Sequence, residues 1–162
     1  MVLLRANETI NSLAEIDLKE HWQQGKRGII LDLDNTITPW QQDALTEEAL
    51  NFIARARTIN YKIHILSNAS YQRTKKVAER LAVGFTAPGF KPILRGYCRA
   101  LRELSISASQ VIVIGDQIFT DILGGNRAGC YTILVAPLAK REFAGTKIMR
   151  FLERLICGRI CL

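Results

Sequence analysis

Short, almost wholly apolar runs alternate along this chain with longer stretches in which apolar residues recur every three or four positions. Runs of four to six apolar residues fit strands buried on both faces, and the intervening periodicity fits amphipathic helices. The strands predicted are Gly28 to Leu33, Lys62 to Leu66, a short one near Gly84 to Thr86, Val111 to Ile114 and Tyr131 to Val135. Between the first two, Leu45, Leu50, Ile53 and Ala54 suggest an apolar helical stripe. Val77 with Leu81, and Ile93, Tyr97, Leu101 and Leu104, suggest the next two. Alternation of this kind predicts an α/β fold: a mainly parallel, five-stranded sheet between two layers of helices. With 162 residues, one globular unit is expected.

In open parallel sheets, ligands bind beyond the carboxyl ends of the strands. The residues that end these strands are polar: Asp32-Leu33-Asp34 after the first, Ser67-Asn68 after the second, Gly115-Asp116 after the fourth. Two carboxylates two residues apart on extended backbone point the same way, so one can attack an electrophile while the other manages protons. Asp116 and Asp121 add acidic groups from a neighbouring strand end. Several convergent carboxylates repel unless a hard cation lies among them, and Mg²⁺ suits an all-oxygen set completed by phosphate and water. Ser67 can hydrogen-bond a phosphoryl oxygen and Lys91 can neutralise it. Aspartate at a strand end is often only a turn or cap residue. Yet D-x-D-x-T and G-D-x-x-x-x-D together, each after an apolar run, should arise by chance in roughly one chain of this length in a thousand.

These motifs, Asp32-x-Asp34-x-Thr36, Ser67, Lys91 and Gly115-Asp116-x-x-x-x-Asp121, resemble those of the haloacid dehalogenase (HAD) superfamily of phosphatases, over about residues 28 to 136. That resemblance implies a three-layer, Rossmann-like fold, with Asp32 as nucleophile and Asp34 as acid/base. It implies Mg²⁺ held by Asp32, the main-chain carbonyl of Asp34 and Asp116, with Asp121 in support. Ser67 and Lys91 would bind the transferred phosphoryl group, and Thr36 and Asn68 complete the expected substrate-binding set. A narrower likeness, to the capless subfamily IIIA and its YqeG-type and mitochondrial phosphatidylglycerophosphate phosphatases, rests on three phrases. They are Arg27-Gly28-Ile29-Ile30-Leu31-Asp32-Leu33-Asp34-Asn35-Thr36, Ile65-Leu66-Ser67-Asn68, and Gly115-Asp116-Gln117 through Gly124-Gly125-Asn126-Arg127-Ala128-Gly129. It implies removal of the terminal phosphate of phosphatidylglycerophosphate to give phosphatidylglycerol; the alternative among enzymes is a HAD phosphatase of another large or soluble phosphomonoester.

Spacing bears separately on the substrate. About thirty residues part Asp34 from Ser67, and fewer part Ser67 from Lys91, which leaves no room for a cap domain. A lid normally encloses a small sugar phosphate, whereas an open site admits a phosphate presented by a macromolecule or a membrane. Charge agrees with an anionic partner. Residues 1 to 70 carry seven Lys/Arg against nine Asp/Glu, and residues 71 to 162 carry fifteen against six, a basic excess that attracts anions. An anionic phospholipid at a membrane surface is the expected partner and no nucleic acid is expected. A non-catalytic module that holds RNA or membrane through the basic half is the rival class, and the intact Asp32, Asp34 and Asp116 set argues against it.

From about residue 140 to 162, Ile148, Phe151, Leu152 and Leu155 share one helical face while Lys147, Arg150 and Arg154 follow on another. Such a basic amphipathic segment can lie in a membrane interface or close the core. No apolar run reaches the roughly 18 residues of a bilayer span, and the opening residues lack a secretory pattern. A cytoplasmic protein, peripheral on the inner face of the membrane, is the expectation. Cys98, Cys130, Cys157 and Cys161 show no metal-ligand spacing and read as incidental thiols. His21 and His64 read as structural histidines, Trp22 as edge packing, and Trp40 as edge packing or a wall of the site entrance. Gly129 reads as a helix stop, and Gly124-Gly125 lacks the spacing of a dinucleotide fingerprint.

Overall fold

The computed structural model describes residues 3–138. Its centre is a sheet of six parallel strands, β1 (Glu8–Ile10), β2 (Gly28–Leu31), β3 (Lys62–Leu66), β4 (Gly84–Thr86), β5 (Val111–Gly115) and β6 (Tyr131–Val135). They lie side by side in the order β1-β6-β5-β2-β3-β4. The helices are α1 (Leu18–Gln23), α2 (Glu47–Thr58), α3 (Tyr71–Leu81), α4 (Leu94–Leu104) and α5 (Leu123–Arg127). After β2 the chain moves outward through β3 and β4, then returns to build β5 against the other side of β2. Connections therefore diverge between β2 and β5, and a crevice opens beyond their carboxyl ends.

Strand alternation divides the core in two. Ile29, Leu31, Ile63, Ile65, Ile112 and Ile114 pack with Phe52, Ile53, Val77, Ala78 and Leu81, on the side covered by α2 and α3. Ile30, Val111 and Val113 face the other way, with Tyr97, Ala100 and Leu104 of α4. Burying residues on both faces explains why these strands read as continuous apolar runs. Each fully buried Phe52- or Leu31-sized side chain contributes on the order of 1.5–3 kcal/mol.

Four sequence expectations need correction, one of them at Ile93, which precedes α4 and is exposed instead of joining its buried stripe. The sheet has a sixth strand, β1, whose mixed sequence Glu8-Thr9-Ile10 gives no apolar run; only its pairing with β6 reveals it. The first predicted strand stops at Leu31 instead of Leu33 because the chain bends into the turn that carries Asp34. The buried stripe of α2 is Ala49, Phe52, Ile53 and Ala56, so Leu50 and Ala54 face solvent. The Ser70 hydroxyl caps α3 through the Arg73 N–H, and Thr46 caps α2 through Ala49. Gly129, with φ at +79°, ends the turn after α5 as expected. Gly124 and Gly125 instead permit close packing. A Cβ on Gly124 would lie 2.3 Å from the Tyr97 ring, and one on Gly125 2.7 Å from Thr132.

Trp22 packs edge-on to Tyr61, and His21 lies edge-on to Tyr131. Cys98 is exposed and Cys130 buried, both as free thiols. Cys157, Cys161 and the basic amphipathic segment lie outside the described residues. Among the described residues no helix is long and apolar enough to cross a membrane.

His64 is buried on β3, with Nε2 2.9 Å from the Thr86 hydroxyl. Burial depresses its pKa below 6.5, against the pull of Glu103. Folding therefore favours the neutral ring, and this contribution to stability is complete above pH 6.5 and lost as pH falls through the depressed value. Urea midpoints should decline over that acid window, and His64→Gln should flatten the decline; an unchanged slope in the variant would refute the assignment.

Candidate active site

Asp32 follows β2 directly, its N–H still bonded to the Ile114 carbonyl of β5, so its side chain emerges where the connections diverge. Asp116 follows β5, and Asp121 lies on the single wide helical turn Ile118–Ile122. Carboxylate oxygens of Asp32, Asp116 and Asp121 all lie within 4.8 Å of one another, and all three residues are buried. Lys91, only 8% exposed, reaches in from the loop before α4. Its Nζ donates to Asp32 Oδ1 at 2.5 Å and to Asp121 Oδ1 at 2.6 Å.

Two of the three carboxylates, Asp32 and Asp121, share the Lys91 ammonium. Burial pushes the Asp32 carboxyl up to about 7, with Lys91 opposing the rise and Asp121 adding to it. For Lys91, burial disfavours the charge, but Asp121 and Asp32 outweigh it and hold the ammonium charged. Three carboxylates against one ammonium form an oxygen-rich set that fits a further cation.

The remaining predicted residues surround this cluster. Asp32, Asp34, Trp40, Ser67, Lys91 and Gln117 are among those lining a cavity of about 310 Å³. Trp40 therefore takes the second of its two readings, a wall of the site. Asn35 turns the chain between Asp34 and Thr36 with φ at +61°, a conformation asparagine tolerates well. Thr36 is buried behind Asp32, 3.5 Å from Oδ2, and does not line the cavity. Ser67 Oγ accepts from the Ala69 N–H at 3.0 Å. Asn68 lines the cavity too, but its amide grips the main chain of Lys91 from both sides, donating to the carbonyl at 3.1 Å and accepting from the N–H at 2.7 Å.

The chain is 33% identical to the probable phosphatase YqeG of Bacillus subtilis, over 95% of its own length and 90% of that protein's. The chain belongs to the HAD-like phosphatases of the YqeG family. The HAD-hydrolase-like family model matches residues 91–138, which include Lys91, Asp116 and Asp121. A chloroplastic and mitochondrial phosphatidylglycerophosphate phosphatase of Arabidopsis thaliana is 26% identical over 83% of the chain, which spans 41% of that longer protein. The sheet and its helices also superpose on a solved HAD-hydrolase, YfnB of Bacillus subtilis, bound to magnesium. There the TM-score is 0.58 at 14% identity, covering 74% of this chain and 91% of that one, so the likeness is one of fold.

In this family member the site includes residues that sequence reasoning missed. Arg73, in the first turn of α3, holds Asp34 by contacts of 2.7 and 2.8 Å to its two oxygens. The same guanidinium reaches Thr38 and the Gln42 carbonyl. Its only sequence signal is its place a few residues after Ser67, at a helix start. The Gln117 N–H donates to Asp121 Oδ2 at 3.1 Å. Tyr97 OH donates to the Thr120 carbonyl at 2.9 Å, anchoring the turn that carries Asp121. Gly115 is required for contact: a Cβ there would lie 2.2 Å from Asp121 Cγ.

Removing one partner from a buried ion pair costs about 3–5 kcal/mol, because the other charge stays buried. Lys91→Met should lower stability by about that amount in urea unfolding with a chelator present, and adding Asp32→Asn should recover part of it. Strictly additive losses in the double variant would show that the ammonium and the carboxylate are not coupled.

Proposed function

We propose that this phosphatase is a Mg²⁺-dependent phosphomonoesterase that works through a phosphoryl ester on Asp32 and removes the terminal phosphate of phosphatidylglycerophosphate. The observation that carries the reading is the convergence of Asp32, Asp116, Asp121 and Lys91 at one strand-end crevice. A divalent cation would offset the excess of carboxylate over ammonium in this set and, with Lys91, would meet the charge of a phosphoryl group.

Asp32 would attack phosphorus in line with the departing alkoxide. Lys91 and Ser67, both on the cavity wall, would receive the phosphoryl oxygens. Asp34 faces the same cavity from two residues away and would protonate the leaving oxygen, then deprotonate the water that cleaves the acyl phosphate. Asp32, Asp116 and the Asp34 carbonyl would hold Mg²⁺, with Asp121 in support, and the ion would supply positive charge to the cluster and the phosphoryl oxygens. Asn68 acts on this scheme by fixing the loop from which Lys91 projects.

Support for a lipid substrate comes from the name of the Arabidopsis relative and from the architecture. The connection from β2 to β3 holds only α2, and that from β3 to β4 only α3. Among the described residues nothing forms a cap over the cavity, so a phosphate on a large carrier can enter.

Asp32→Asn should lower Mg²⁺-dependent phosphate release by more than about a thousandfold, with the fold retained by circular dichroism. Residual turnover near the wild-type rate would remove the nucleophile assignment. Across a panel of lipid and soluble phosphomonoesters, phosphatidylglycerophosphate should be turned over fastest; equal rates on small soluble esters would reject the lipid substrate and leave the phosphatase chemistry intact.

A further inference from the structure

Lys91 points inward to the nucleophile while its neighbours point out. Phe90 is 63% exposed and Ile93 58% exposed, and one tight turn, closed by the Ile93 N–H to the Phe90 carbonyl at 2.8 Å, displays both. Neither residue suits its local backbone. Phe90 has φ at +51°, a conformation that favours glycine or asparagine and is uncommon for a bulky side chain. Ile93 occupies the N-cap of α4 and makes no capping bond, where serine, threonine or aspartate would stabilise the helix start. Two adjacent, solvent-facing apolar residues placed against local preference mark a surface kept for another purpose.

They have company. Tyr71, 53% exposed, starts α3 just beyond β3. Leu138, 38% exposed, follows β6 and bonds through its N–H to the carbonyl of Asn35, within the turn that carries Asp34. Four of the exposed large hydrophobic residues thus stand at the carboxyl end of the sheet, around the mouth of the catalytic cavity. Positive charge accompanies them: Arg95 and Arg99 are exposed in the first turns of α4, and Lys75 in the first turns of α3. Glu103 and Glu79 lie one turn further from the mouth, paired with Arg99 and Lys75. Glu47 and Glu48 sit at the start of α2, so the cationic part of the face is the part built by α3 and α4.

We infer that this face is a docking surface for an anionic phospholipid bilayer, with Phe90 and Ile93 inserting among the headgroups beside the catalytic cavity. Aromatic and aliphatic side chains at the tip with arginine and lysine set back suit the acyl boundary below charged phosphates. Because Phe90 is the chain neighbour of Lys91, about 3.8 Å away between Cα atoms, insertion brings headgroup phosphates to the opening of the site. The inference rests on reading the site as one that meets a lipid-borne phosphate. It assigns the docking to the strand-end rim built by the described residues.

The test is co-sedimentation of the full chain with substrate-free vesicles of phosphatidylcholine, with and without phosphatidylglycerol. Partitioning should favour the anionic vesicles. The double variant Phe90→Asn, Ile93→Ser places residues that suit both backbone positions, and should bind at least about tenfold more weakly while hydrolysing soluble 4-nitrophenyl phosphate at the wild-type rate. Arg95→Gln should weaken binding to anionic vesicles by about fivefold. Equal partitioning of wild type and double variant overturns the proposal, as does a wild type that ignores anionic vesicles. A double variant that only dissolves a dimer, with vesicle binding intact, overturns it in favour of a second copy of the chain. Loss of the phosphatidylglycerophosphate assignment would look different: vesicle binding would persist while that lipid went unhydrolysed.

Discussion

One ammonium among three buried carboxylates is the constraint around which the rest is arranged. Lys91 lies 2.5 Å from Asp32 and 2.6 Å from Asp121, all three largely buried, with Asp32 and Lys91 on the wall of the cavity. Buried charge of this kind is stable only in accurate geometry, and much of the fold supplies that accuracy. The parallel sheet delivers Asp32 and Asp116 from adjacent strand ends. The Asn68 amide locks the Lys91 backbone in both directions, and the missing side chain at Gly115 lets Asp121 fold against β5.

Much of this was legible in the residues because strand ends in a doubly covered sheet are where polarity changes abruptly. Ile29-Ile30-Leu31 followed by Asp32, and Ile112-Val113-Ile114 followed by Gly115-Asp116, signal both the strand and the site. What stayed hidden depends on contacts between distant segments. Arg73 looks like one of many basic residues in a charged helix, and only the approach of α3 to the turn after β2 puts its guanidinium on Asp34. Asn68 could be placed at the site but not given its partner, because nothing local says that its amide faces the Lys91 backbone. On α2 the error was one of phase. Leu50 and Ala54 are as apolar as their neighbours, and tertiary packing selected the stripe through Ala49 and Phe52 instead.

The two ends of the sheet serve different needs. At the amino ends, contacts hold the layers together: the Lys62 ammonium donates to the Leu104 carbonyl at 2.9 Å, and that of Lys26 to the Ser109 carbonyl at 2.7 Å. Around the carboxyl ends, side chains depart from what local structure prefers, as with Phe90 at positive φ and Ile93 at an unfilled cap. Such departures are tolerated because the loop between β4 and α4 is fixed from beneath by Lys91. An anchored loop can present unsuitable residues to solvent without unravelling.

The short first strand has a consequence for how the molecule is made. Asn7 and Thr132 bond across 125 positions of sequence, so β1 has no place to go until β6 exists. At a synthesis rate of about 5–20 residues per second, that wait lasts roughly 6–25 s on the ribosome. Throughout it, the earliest piece of the sheet to be translated is an orphan. The polar, three-residue composition that concealed β1 from sequence reading is also what keeps that orphan from sticking to other nascent chains.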